Sequence, residues 1–132
     1  MKSIARLTTI VLLLAATNAR ATAFLDHSEP AVGSTVDEPP TEIRIWFTER
    51  LDPPFGQIQL FDRRGRPVTQ NQAVVDSDDP TLLKLSIPLL KPGAYKVSWK
   101  VTSMGMRMTV GTFSFKVRKS KKLRPANAGA TT

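Results

Sequence analysis

Three of the four methionines in this 132-residue chain stand at alternate positions, Met104, Met106 and Met108, within VTSMGMRMTVG. Thioether sulfur is a soft ligand suited to Cu(I), and methionines two apart on an extended segment can converge on one ion. Methionine also fills irregular gaps in a core and makes sulfur contacts with aromatic rings, here with Phe24 and Trp46 as candidate partners. From the residues alone both readings stand open.

His27 is the sole histidine and follows Asp26, a carboxylate able to orient an imidazole for metal binding. A lone histidine on an opening strand is equally read as a hydrogen-bonded structural residue. Hydrolytic chemistry finds no support, because the chain has no cysteine nucleophile and no second histidine. The acids Asp76, Asp78 and Asp79 sit in DSDDP, a turn-like and solvated segment. The chain is read as a non-enzyme.

The elements that must position these side chains are strands. Beyond the N-terminal segment helical periodicity is absent and alternation recurs, with Ile43, Ile45 and Phe47 set against Arg44, Trp46 and Thr48. Ile58 with Leu60, Val74 with Val75, and Leu83 with Leu85 and Ile87 mark further strands, and another is expected near Ala23 to His27. Tyr95, Val97, Trp99 and Val101 form one apolar face, and Phe113, Phe115 and Val117 another. Pro39-Pro40, Asp52-Pro53-Pro54, Arg64-Gly65-Arg66-Pro67, Asp79-Pro80 and Lys91-Pro92-Gly93 separate the runs with turn chemistry. About seven short strands at this spacing predict an all-β chain, an immunoglobulin-like antiparallel β-sandwich, with a small closed barrel as the alternative.

Parity then places the methionines. The apolar positions from Tyr95 to Val101 are odd and the methionines even, so a strand running straight on would put Ser103, Gly105 and Arg107 into the core. Regular pairing is therefore expected to end near Ser103, with a bend at Gly105 and MGMRM forming a loop at one end of the sandwich, where function commonly sits.

The compartment follows from the first residues. Lys2 and Arg6 precede an apolar stretch from Ile10 to Ala16, and Ala19-Arg20-Ala21 has the small-x-small form of a signal cleavage site, so residues 1–21 read as a signal peptide. Cleavage after Ala21 would leave Thr22 as the new terminus of a domain over 22–117. With no cysteine, stability has to come from packing. The formal net charge of +8 is mostly local: three basic residues lie in the signal segment and six from Lys116 onward, leaving ten against eleven acids in the body. Residues 118–132 read as a basic, disordered tail. Clustered basic residues suit an anionic membrane surface, whereas nucleic acid is not an expected partner of an exported protein.

Two stretches resemble the CopC copper-resistance domain: FLDHSEPAVGSTVDEPPTEIRIWFTERL and LKPGAYKVSWKVTS followed by GTFSFKV. Ser28 to Ser34 form a Ser-x-Pro-Ala-x-Gly-Ser opening, and Pro92 to Trp99 the Pro-Gly-x-Tyr-x-Val-x-Trp element. The resemblance implies a periplasmic, cupredoxin-like or immunoglobulin-like sandwich that binds copper beside a membrane copper transporter of the CopD type. It also implies a Cu(II) site built from an N-terminal histidine and an Asp-x-His motif before the last strand. This chain differs at each position: Thr22 stands for the first histidine, leaving only an α-amine, and Gly105 and Arg107 stand for the Asp and His. The family's mid-chain methionine-rich loop corresponds here to DRRGRPVTQ, which has neither methionine nor histidine.

Met104, Met106 and Met108 surround the replaced positions, and Arg107 sets a cation where Cu(II) would sit, which disfavours that ion. The expectation is a monomeric copper-handling protein favouring Cu(I), with Met104, Met106 and Met108, His27 and the Thr22 amine as candidate ligands. The competing expectation is a copper-independent sandwich that docks on a transporter or another exported partner.

Overall fold

A computed structural model of the protein describes residues 22–53 and 55–119; the segment 1–21 read as a signal peptide and the tail beyond Lys119 lie outside the described residues. Among the described residues eight strands make two four-stranded sheets. The first sheet has the order β1 (Leu25–Glu29), β3 (Glu42–Phe47), β6 (Leu82–Ser86), β5 (Val74–Val75). The second has the order β2 (Thr35–Val36), β8 (Met108–Val117), β7 (Gly93–Thr102), β4 (Gln57–Phe61). The expected sandwich is observed, with one pairing that alternation could not reveal: the two-residue β2 runs parallel to β8, Thr35 opposite Lys116 and Val36 opposite Val117. Among the described residues no helix is long and apolar enough to cross a membrane.

The period of two explains the layers. In β3 Ile43, Ile45 and Phe47 are buried while Glu42, Arg44 and Trp46 lie on the other face. In β7 Tyr95, Val97, Trp99 and Val101 turn inward, as do Phe113, Phe115 and Val117 of β8. These faces meet between the sheets in one hydrophobic core. Phe47 of the first sheet meets Trp99 of the second edge to face, with ring centroids 5.1 Å apart, a geometry that rings prefer over a face-to-face sandwich. Tyr95 and Phe115 stack at 5.6 Å within the second sheet, toward its other end.

The β7–β8 hairpin is the longest feature, with ten residues in each strand paired from Gly93 opposite Val117 to Thr102 opposite Met108. At about 3.3 Å per residue it separates the ends of the second sheet by roughly 30 Å. One end carries the methionine turn. The other carries the β4 exit, where Gly65 takes a φ of 76° in the Asp62–Arg66 turn, a conformation that glycine adopts at little cost.

Candidate metal centre

Pairing in the hairpin stops at Thr102 and Met108, so the turn is 103–107 and not the expected MGMRM: Met108 belongs to β8, and Ser103 is buried at the base of the turn. The Ser103 N–H donates to the Arg107 carbonyl at 2.9 Å and the Met106 N–H to the Ser103 carbonyl at 2.8 Å, closing the turn. The left-handed residue is not Gly105, where the bend was expected, but Met106, with φ 62°. A long side chain at positive φ is uncommon and costs energy relative to glycine, and such strain clusters at functional sites.

A segment far away in the chain anchors this turn. The Asp52 N–H donates to the Thr102 carbonyl at 2.8 Å and the Met104 N–H to the Arg50 carbonyl at 3.2 Å. Leu51 bridges to Ser103, and both are buried. The base of the turn is therefore fixed while its side chains face water: Met104 is 59%, Met106 79% and Met108 61% exposed. Methionine as core filling does not hold here. Met104 borders a groove of about 960 Å³ that it shares with Arg50, Leu51, Gln57 and Val74. Met108 lies on the outer face of the second sheet beside Val110, itself 68% exposed.

Thr109 brings the N-terminal segment to the same place. Its hydroxyl donates to the carbonyl of Ala23 at 2.7 Å, and Ala23 is fully buried. The Phe24 N–H donates to Thr48 Oγ1 at 3.0 Å and the Thr48 N–H returns a bond to the Phe24 carbonyl at 2.8 Å. Thr22 is thus held at the methionine end, one residue from the Thr109 contact, and its own carbonyl lies 3.5 Å from Thr48 Oγ1. Nothing in the sequence signals Thr109 or the Arg50–Asp52 segment, because each acts across a long chain separation.

His27 sits elsewhere. Its ring stacks on Trp46 with centroids 4.3 Å apart and planes 9° from parallel, and its Nδ1 lies 2.6 Å from Asp26 Oδ2. Both rings occupy the outer face of the first sheet, since their strand neighbours Ser28, Ile45 and Phe47 turn inward. Among the described residues no cluster of three or more His, Cys, Asp or Glu could hold a metal ion. Among the described residues the methionine end offers thioethers, backbone carbonyls, the Asp52 carboxylate and the exposed cations Arg50 and Arg107, a set in which the thioethers are the soft donors.

A two-sheet immunoglobulin-like sandwich, with its N-terminal segment and its longest hairpin turn meeting at one end, is the class that fold and site define. The chain belongs to the CopC domain family, whose model matches residues 25–118, and it is on that ground a protein of the copper-resistance type. It is 29% identical over 99 residues to Protein YobA of Escherichia coli K12, covering 73% of this chain and 78% of the relative. Among solved structures it is similar to CopC from Methylosinus trichosporium OB3b, with TM-score 0.72 and 26% identity over 77% of this chain and 99% of that one. It shares the fold of PcoC, a methionine-rich copper resistance protein from Escherichia coli, with TM-score 0.65 and 24% identity over 74% of this chain and all of that one.

Proposed function

We propose that this chain is an exported copper-handling protein that takes Cu(I) through the methionines of its hairpin turn, without the family's Cu(II) side chains. One observation carries the reading: Met104 and Met106 on the anchored turn and Met108 at the start of β8 are all exposed within five residues, and Gly105 and Arg107 between them are where the resemblance puts the family's Asp and His. Methionine is among the residue types most often buried, so three exposed on five residues need a reason beyond packing. Met106 strengthens it, since backbone preference alone would put glycine at φ 62°. The Thr22 amine, freed by cleavage after Ala21, would stand at the same end. His27 is left out of the site, because it is held on the outer face of the first sheet by Trp46 and Asp26.

The test is anaerobic competition for Cu(I) against a chromophoric chelator, beside a Cu(II) titration. A 1:1 Cu(I) complex is expected, weakened about tenfold or more in Met104→Ala/Met106→Ala/Met108→Ala and unchanged in His27→Ala. Saturation with no 1:1 complex defeats the proposal. Unchanged affinity in the triple variant would place any copper elsewhere.

A second reading rests on the same surface. Val110 is exposed beside Met108 and Phe24 at the same end of the sandwich, at 68% and 61%, and such an apolar end suits docking on a membrane transporter of the CopD type or another exported partner without copper. Under that reading the triple variant keeps copper tolerance at the level of the parent. Copper sensitivity in the triple variant rejects it.

A further inference from the structure

The oxidisable sulfur of this chain is gathered in one place. The sequence has no cysteine, and its fourth methionine, Met1, lies in the segment read as a signal peptide. The other three stand within five residues at one end of the sandwich, with Met104 59%, Met106 79% and Met108 61% exposed. Among the described residues the hydrophobic core is made of aliphatic and aromatic side chains and holds no sulfur.

That separation decides what oxidation can do. A methionine sulfoxide is polar, so in a core it disrupts packing and couples oxidation to unfolding. Here the new polarity would meet water. The turn itself is closed and anchored by main-chain bonds, from the Ser103 N–H to the Arg107 carbonyl, the Met106 N–H to the Ser103 carbonyl, the Met104 N–H to the Arg50 carbonyl and the Asp52 N–H to the Thr102 carbonyl. None of these bonds uses a methionine side chain. The oxidisable rings of Tyr95 and Trp99 are shielded, each only 8% exposed.

We propose that Met104, Met106 and Met108 form a site of reversible S-oxidation by peroxides, which abolishes Cu(I) binding at this end while the sandwich stays folded. The proposal rests on the Cu(I) reading given above. With hydrogen peroxide, a thioether sulfur gives an electron pair to one oxygen; the S–O bond forms as the O–O bond breaks, and the second oxygen leaves with both protons as water. Sulfur loses the two electrons that the peroxide gains. The product presents a hard oxygen where a soft sulfur stood, and Cu(I) selects soft ligands. Reductases specific for each sulfoxide epimer return the thioether, so the change is reversible. An ion already bound engages the sulfur lone pair that the peroxide needs, so the loaded turn is protected and the empty one is the target.

The purified protein is titrated with Cu(I) under anaerobic conditions, oxidised with hydrogen peroxide, freed of it and titrated again. Peptide mapping by mass spectrometry should find one added oxygen on each of Met104, Met106 and Met108. Cu(I) affinity should fall by about tenfold or more, the urea midpoint should stay where it was, and treatment with both classes of sulfoxide reductase should restore the affinity. Ag(I), a soft monovalent ion that does not cycle with peroxide, should slow oxidation at the three positions when bound beforehand. A first titration without Cu(I) binding removes the functional reading, and this proposal with it, before any oxidant is added. Binding at first and equal binding after full oxidation overturns this proposal alone. Three methionines that resist peroxide, a urea midpoint that drops on oxidation, affinity that the reductases do not restore, or bound Ag(I) that gives no protection overturns it as well.

Discussion

Gly111 stands directly opposite Trp99 in the hairpin, and the indole lies across it. A Cβ built at Gly111 would be 2.3 Å from Trp99 Cζ2, 2.5 Å from Cε2 and 2.9 Å from Nε1, against ordinary carbon contacts of about 3.5–4.0 Å. Gly111→Ala must therefore push β8 outward or drive the indole from its place on Phe47. Overpacking of this kind costs about 1–3 kcal/mol, and loss of the edge-to-face contact adds about 0.5–1.5 kcal/mol. The reduced backbone entropy of the unfolded alanine chain returns about 0.5–1 kcal/mol. The clash wins, and a net loss of about 2 kcal/mol is expected, roughly 10 °C in Tm for a domain of this size.

Urea unfolding followed by circular dichroism measures that loss. Repeating it in a Trp99→Leu background isolates the cause, because the clashing atoms are then gone and Gly111→Ala should cost less than about 0.5 kcal/mol. A cost that is the same in both backgrounds, or a native-background variant within about 0.3 kcal/mol of the parent, would refute the steric reasoning.

Two further outcomes are expected. Thr109→Val removes the hydroxyl bond to the Ala23 carbonyl; it should cost about 0.5–1.5 kcal/mol and speed amide exchange at Phe24, and unchanged exchange there would mean that Thr109 does not tether the N-terminal segment. Acid should destabilise the fold: the carboxyls of Asp76, beside the Lys84 ammonium, of Asp79, bonded by Thr81, and of Asp62, bonded by the Arg66 N–H, are all held below the usual value of 3.8. A depressed folded pKa stabilises above the unfolded value and that stabilisation is lost as pH falls through the folded one. The urea midpoint should thus hold from neutral pH to about 5 and fall below about 4, less steeply in Asp76→Asn, and an identical acid slope in that variant counts against the Asp76–Lys84 pair.

How much of this was legible from residue order follows from the range of each interaction. The alternation in EIRIWF and AYKVSWKV is a local consequence of strand geometry, so the sandwich, the inward faces and the end of pairing near Ser103 could be read directly. The exposed methionine turn follows from the same parity. That Met106 and not Gly105 takes the left-handed conformation was not readable, because the turn is set by bonds from Ser103 to Met106 and Arg107 and by its anchor at Arg50.

What tertiary structure alone decided is every relation between segments distant in the chain. Residue types made His27 a candidate ligand, but its stacking on Trp46 and position on the outer face of the first sheet depend on the pairing of β1 with β3. The Thr109 bond to Ala23 spans 86 residues and brings Thr22 to the methionine end. Charge shows the contrast most plainly: counting residues gives a nearly neutral body, while the strands divide it into a first sheet with three acids against two bases and a second sheet whose charged residues are three lysines. Composition adds charges without regard to place, and electrostatic interaction depends on place within a Debye length. Sequence therefore determined which chemistry the chain carries, and the packing of the two sheets determined where that chemistry can act.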